Sequence, residues 1–184
     1  MKKKICLILY YSIARFLPDS TSKFGGKFYK YIRYILCKNI FQQCGKNVNI
    51  ERKAKFGNGS NICIDDNSGI GINCIVPNNI IIGKNVMMGP NCYILADNHV
   101  YDDISRPMNQ QGMTKPGQTI IDDDVWIGRN VMITTNRHIS KGSIIAMGCV
   151  LTKDFPEYSI IGGNPSKFIK SRKDNVLNKD NESM

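Results

Sequence analysis

Residues 64–97, IDDNSGIGINCIVPNNIIIGKNVMMGPNCYILAD, and 121–155, IDDDVWIGRNVMITTNRHISKGSIIAMGCVLTKDF, are two runs of one six-residue unit. Units begin at Ile64, Ile70, Val76, Ile82, Met88 and Ile94, then at Ile121, Ile127, Ile133, Ile139, Ile145 and Leu151. The fourth position of every unit is Asn, Asp or Gly, from Asn67 and Asn73 to Gly148 and Asp154. These residues enter the left-handed backbone region at least cost, so each unit carries a tight turn. A period of six fits neither an α-helix nor simple strand alternation. It is the mark of a parallel β-helix.

Three units make one triangular coil, so residues eighteen apart should stack. Cys74 then lies over Cys92, Ser68 over Val86, Ser143 under Val125 and Cys149 under Val131. Small side chains at these corners let coils approach, while the unit-start aliphatics fill the prism. Upstream, Val48, Ile50 and Phe56 should also point inward, with a two-residue irregularity near 57–61. Asn98 to Gln118 leaves the pattern entirely. A loop this long inside a strict repeat is usually functional.

The chain has 184 residues and a formal net charge of +10, carried by its first third. Residues 1–55 hold thirteen Lys or Arg against Asp19 and Glu51. No nucleic-acid motif accompanies that charge, so a solvated face or a peripheral contact with an anionic membrane is expected instead. The seven cysteines form neither CxxC pairs nor a compact framework and read as reduced core thiols of a cytoplasmic protein. MKKKICLILYYSIARF is too short to span a bilayer and has no small-x-small cleavage site, so an uncleaved helix is expected. Residues 4–17 and 27–42 read as helices. The second carries a stripe of Phe28, Tyr31, Ile32, Ile35 and Leu36, expected to cap the open end of the β-helix or to lie on a membrane at its inner face. The resulting organisation is a helical extension over 1–44, a β-helix over 45–173 with its excursion at 98–118, and a polar tail over 174–184 expected to be disordered.

The repeat resembles the hexapeptide-repeat acyltransferases, most closely the maltose and galactoside O-acetyltransferases and their polysaccharide relatives. The resemblance covers roughly residues 45–170. It implies an all-β chain folded as a left-handed parallel β-helix, the handedness being the family's own and an exception to the usual crossover rule. It further implies a homotrimer with sites between neighbouring chains, acetyl-coenzyme A as cosubstrate and no metal.

In ILADNHVYDD, the family's general base corresponds to His99 at the mouth of the excursion. A neutral imidazole there can take the proton of an attacking hydroxyl. Asp97, Asp102 or Asp103 could orient it. Asn98, Arg106 and Trp126, the last in DDVWIGRNV, fall where the family places its acceptor and thioester. By the same resemblance the backbone N–H of Arg129 would face the oxyanion. In AMGCVLTKD and GGNPSKFIK, Ala146, Met147 and Gly148 would meet the pantetheine arm and Thr152 and Lys153 the adenine end. Lys167 and Lys170 would meet the phosphates. ITTNRHI departs from the family's I-x-P-G-V-x-I, placing Arg137 at a corner that is usually small and leaving His138 on the surface.

The implied activity is O-acetylation of a sugar hydroxyl in surface-glycan synthesis. Serine O-acetylation or N-acetylation of a nucleotide-linked amino sugar is the nearest alternative, although serine acetyltransferases carry a much larger helical region ahead of the repeat. A γ-type carbonic anhydrase needs three histidine ligands, and the chain has two histidines in all. A non-catalytic scaffold would leave the loop histidine unexplained.

Overall fold

A computed structural model describes residues 1–174. After two helices, α1 (Lys2–Ser12) and α2 (Gly26–Ile40), the chain winds as a triangular prism of stacked parallel coils. The first face stacks Gln43–Cys44, Cys63–Ile64, Ile81–Ile82, Ile120–Ile121 and His138–Ile139. The second runs from Asn49–Ile50 and Gly69–Ile70 through Met87–Met88, Trp126–Ile127 and Ile144–Ile145 to Ser159–Gly162. The third holds Tyr93–Ile94, Met132–Ile133 and Val150–Leu151, with Lys55 and Ile75 bridging above them.

All twelve unit-start side chains are buried, as the period requires. The eighteen-residue stacking holds, with the Val86 N–H donating to Ser68 Oγ at 3.0 Å and the Cys92 N–H directed to Cys74 Sγ at 3.3 Å. Gln43 pairs with Cys63 rather than a residue eighteen on, which places the expected two-residue irregularity between them. Gly57 and Gly59 turn there with positive φ. All seven cysteines are free thiols. Burial pushes the Cys44 thiol up to about 11 and raises that of Cys37 well above its ordinary value, which makes both poor nucleophiles.

One expectation fails at a single edge of the prism. Nine of the twelve turn positions are left-handed, but Asn79, Asp97 and Asp154 are not. All three lie on the edge joining the third face to the first. Pro77 precedes Asn79, Pro156 follows Asp154, and the excursion departs directly after Asp97, so at these three the chain takes other routes, while Asn136 on the same edge keeps the left-handed turn. Where the turns are regular, asparagine has a second role. Asn73 and Asn91 each donate Nδ2 to the asparagine one coil on, at 3.0–3.1 Å, forming an amide ladder on one edge, and Asn47 makes the same bond to Asn67 on another.

The second correction concerns α2. Only part of its apolar stripe faces the prism: Ile32 and Leu36 are half-buried and pack against the core, whereas Phe28, Tyr31 and Ile35 are exposed. Arg33, Cys37 and Ile40 are buried instead. Arg33 is fully buried and closes the prism end by donating to the carbonyls of Ile50, Leu17 and Pro18. Its remaining nitrogen faces Glu51 at 3.5 Å. The end of a β-helix exposes backbone carbonyls as well as side chains, so a multidentate guanidinium caps it better than an aliphatic. Tyr10 adds a bond to the Ala54 carbonyl and packs on Phe56.

At the other end, Ser159–Gly162 and Lys167–Ser171 form an antiparallel hairpin around the cis Asn164–Pro165 bond. This hairpin covers the final coil of the second face. The tail expected to be disordered lies, beyond Asp174, outside the described residues. Among the described residues no helix is long and apolar enough to cross a membrane, and no group of His, Cys, Asp and Glu is arranged to hold a metal.

Candidate active site

His99 sits just past the third face, where the excursion begins. The loop doubles back on itself there, with His99 bridged antiparallel to Met113. Thr114 fastens the base of this arm, because its hydroxyl accepts the Asn98 N–H at 3.0 Å and its own N–H reaches the Asn98 carbonyl at 2.7 Å. Farther back, Gly117 N–H and Thr135 Oγ1 both donate to the Ala96 carbonyl. The backbone at His99 is therefore held on two sides while the ring is exposed. Neither the ring nor the Asp97 and Asp102 carboxylates have a side-chain partner among the described residues. Asp103 is turned away into the loop tip, where it binds Ser105 and Arg106, the latter at 2.7 Å. Arg106 is thus engaged in shaping the loop.

A second group lies at the opposite edge of the third face. Trp126, 51% exposed, stacks between Met87 and Ile144 on the second face. Two residues on, Gly71, Gly89, Gly128, Ala146 and Gly162 form a column of small residues at the start of the turns. A Cβ at Gly128 would lie 2.6 Å from the Met147 nitrogen, and one at Gly89 would lie 2.7 Å from that of Arg129. The glycines leave these amides uncovered, and neither N–H donates to any group among the described residues. Two adjacent, unspent backbone donors beside an exposed tryptophan make a slot able to bind carbonyl oxygens or an oxyanion.

Thr152 and Lys153 stand on the same edge as His99, two coils farther along, with the Lys153 ammonium over the Phe155 ring. Lys167 and Lys170 lie on the closing hairpin of the second face, opposite Gly162 and Ile160. His138 is a surface residue, but its Nε2 meets both Asp122 oxygens at 3.0 Å. Arg137 occupies the unusual corner by pairing with Asp154 at 3.2 Å and reaching the Thr152 carbonyl. A single chain therefore brings together Trp126, Arg129, Ala146, Met147 and Gly148 but holds His99 across the third face from them.

A cleft of about 370 Å³ opens on the second face beside α2, lined by Lys30, Asn49, Glu51, Gly69, Gly71 and Met87. Asn49 donates to Glu51 at 2.9 Å while its own Oδ1 is buried without a hydrogen-bond partner. Ser20 completes this group by donating to Glu51 through both its hydroxyl and its N–H. The sequence gives no signal for this network, because it joins loop, helix and first coil. Thr114 is equally silent in sequence, as its role depends on how the excursion folds back.

No family model matches the chain. It is 35% identical over 135 residues to the "Putative acetyltransferase YJL218W" of Saccharomyces cerevisiae, covering 72% of this chain and 67% of that protein. The chain belongs to this acetyltransferase family. The galactoside O-acetyltransferase of Escherichia coli is 29% identical over 144 residues, or 77% of this chain and 70% of that one. Among solved structures, a galactoside acetyltransferase in complex with coenzyme A superposes with a TM-score of 0.77 at 26% identity, covering 96% of this chain and 83% of that chain. The prism is accordingly the left-handed parallel β-helix of the hexapeptide-repeat acetyltransferases.

The acetyltransferase's exposed amides give a direct test of the slot. Gly128→Val would place a branched side chain over the Met147 nitrogen. A ligand held in this slot would lose the Met147 donor, so coenzyme A bound there should weaken by roughly two- to tenfold in a calorimetric titration. The thermal midpoint reports any accompanying loss of fold.

Proposed function

We propose that this acetyltransferase moves an acetyl group from acetyl-coenzyme A to a sugar hydroxyl, with His99 as general base. The observation that carries the reading is His99 itself: an exposed ring with no side-chain partner among the described residues, on backbone clamped by Thr114 and Thr135. His99 removes the hydroxyl proton as the oxygen attacks the thioester carbonyl. The new C–O bond forms, the C–S bond breaks, and the coenzyme thiolate leaves. The Arg129 N–H faces the developing oxyanion, and the pantetheine arm lies along Ala146, Met147 and Gly148. Thr152 and Lys153 meet the adenine end, and Lys167 and Lys170 the phosphates, where lysine acts as a point charge.

Because His99 and the amide slot lie at opposite edges of the third face, the reading requires a neighbouring copy. In a homotrimer of parallel prisms the His99 edge of one chain meets the second face of the next. The adjacent Lys30–Asn49–Glu51 cleft then offers acceptor hydroxyls a polar floor, and the orphaned Asn49 Oδ1 fits a hydroxyl donor. Biosynthesis of surface polysaccharide is the setting we assign.

Thiol release from acetyl-coenzyme A, followed with a disulfide dye across a panel of acceptors, tests the substrate class. Galactosides, maltose or glycan fragments with free hydroxyls should stimulate release. Release stimulated only by serine, or only by an amino sugar, would replace this reading by one of the two nearest alternatives.

A further inference from the structure

We propose that the outward face of the two N-terminal helices docks on an anionic lipid surface. On α1, Ile5, Ile8 and Leu9 recur on one side, opposite the buried Cys6 and Tyr10, and Ile8 is 66% exposed. On α2, Phe28, Tyr31 and Ile35 recur on one side, opposite Arg33 and Cys37, with Phe28 62% exposed. Between the helices Phe24 is 88% exposed. A helix pair that already buries one face of each member against the prism has no fold-related need for a second apolar face.

Charge chooses the occupant. Lys2, Lys3, Lys4, Lys23 and Lys27 have no carboxylate partner among the described residues. The acid within residues 1–44 is Asp19, whose carboxylate is occupied by Thr21 and Ser22. Pairing this face with the same face of a second copy would oppose lysine to lysine, whereas an anionic bilayer neutralises the lysines and buries the apolar side chains together. Exposed aromatics at the boundary, Tyr31 and Phe28, suit the headgroup level.

The test is flotation of the full chain with vesicles of phosphatidylcholine containing phosphatidylglycerol, beside vesicles of phosphatidylcholine alone, at low and high salt. Binding should require the anionic lipid and weaken with salt. The triple variant Lys2→Gln, Lys3→Gln, Lys4→Gln should lower partitioning roughly a hundredfold at low salt, at the usual contribution of each cation near a charged surface. Ile8→Ser with Phe28→Ser should lower it as well, with little change in the thermal midpoint because both side chains are mostly exposed. Equal binding to both vesicle types, or partitioning indifferent to both variants, overturns the proposal. Absence of vesicle binding together with a smaller assembly for the Ile8→Ser, Phe28→Ser chain would assign the face to another copy and overturn it too.

Discussion

On the mechanism proposed, replacing His99 by alanine should lower the turnover of acetyl transfer by about a hundredfold to ten-thousandfold, the usual contribution of a positioned general base. Coenzyme A affinity should stay close to that of the unaltered chain, because the proposed cofactor contacts are made by backbone amides and lysines and none by the imidazole. The fold is also spared: the His99 ring is exposed, and the arm that carries it is fastened through backbone and Thr114 contacts that alanine retains. Initial rates across acetyl-coenzyme A concentrations separate these effects, since loss of the base appears in kcat and loss of binding in KM. A His99→Ala chain that turns over normally would remove histidine from the chemistry.

Arg33→Met has its effect on stability. The guanidinium supplies donors to three backbone carbonyls and faces Glu51, and all of this lies under the helices at the prism end. Desolvation lowers the Arg33 pKa, and the Glu51 carboxylate is the largest opposing influence. Removing one member of such a buried group leaves an uncompensated charge and unpaired carbonyls, which costs about 3–5 kcal/mol. For a chain of this length the thermal midpoint should fall by roughly 10 °C. Adding Glu51→Leu to Arg33→Met should recover part of the loss, because the stranded carboxylate is gone while the carbonyls remain open. Differential scanning calorimetry of the single and double variants reads both outcomes. A single variant as stable as the parent would show that α2 is held by apolar packing alone.

The core was the most legible part of this molecule. Each inward aliphatic recurs at a fixed interval, so a reading of residues 64–155 places them without knowledge of any contact. Turn conformation was less so: asparagine permits the left-handed region but does not compel it, and at Asn79 the proline two residues before imposes another path. At the prism end, hydrophobic periodicity was right for Ile32 and Leu36, which pack on the core, and not for the rest of the α2 stripe. The apolar stripe at Phe28, Tyr31 and Ile35 gave the stronger pattern, but open carbonyls at Ile50, Leu17 and Pro18 drew Arg33 inward, and carbonyl positions leave no trace in a side-chain pattern.

For the candidate site, sequence located individual residues better than their grouping. His99 was marked by its place at the mouth of the excursion, and Trp126 by its strand. That they stand on different edges of the prism follows only when coils are stacked. The bare amides of Arg129 and Met147 depend on glycines one coil away, at Gly89 and Gly128, a relation across eighteen or more residues that no local motif expresses. The resemblance implied a site shared between chains; the proposed base and the free amides stand on opposite edges of one prism, so the proposed function needs a second copy.

Mixing two impaired chains, assayed at an acetyl-coenzyme A concentration low enough for the slot to limit the rate, tests the proposed shared site most directly. His99→Ala retains the amide slot and lacks the base, while Gly128→Val retains the base and has its slot covered. Unfolded together and refolded as mixed trimers, neighbours of opposite type combine an intact base with an intact slot, and random assembly should restore about a quarter of the parental activity. A mixture as inactive as its components would contradict a site built from two chains.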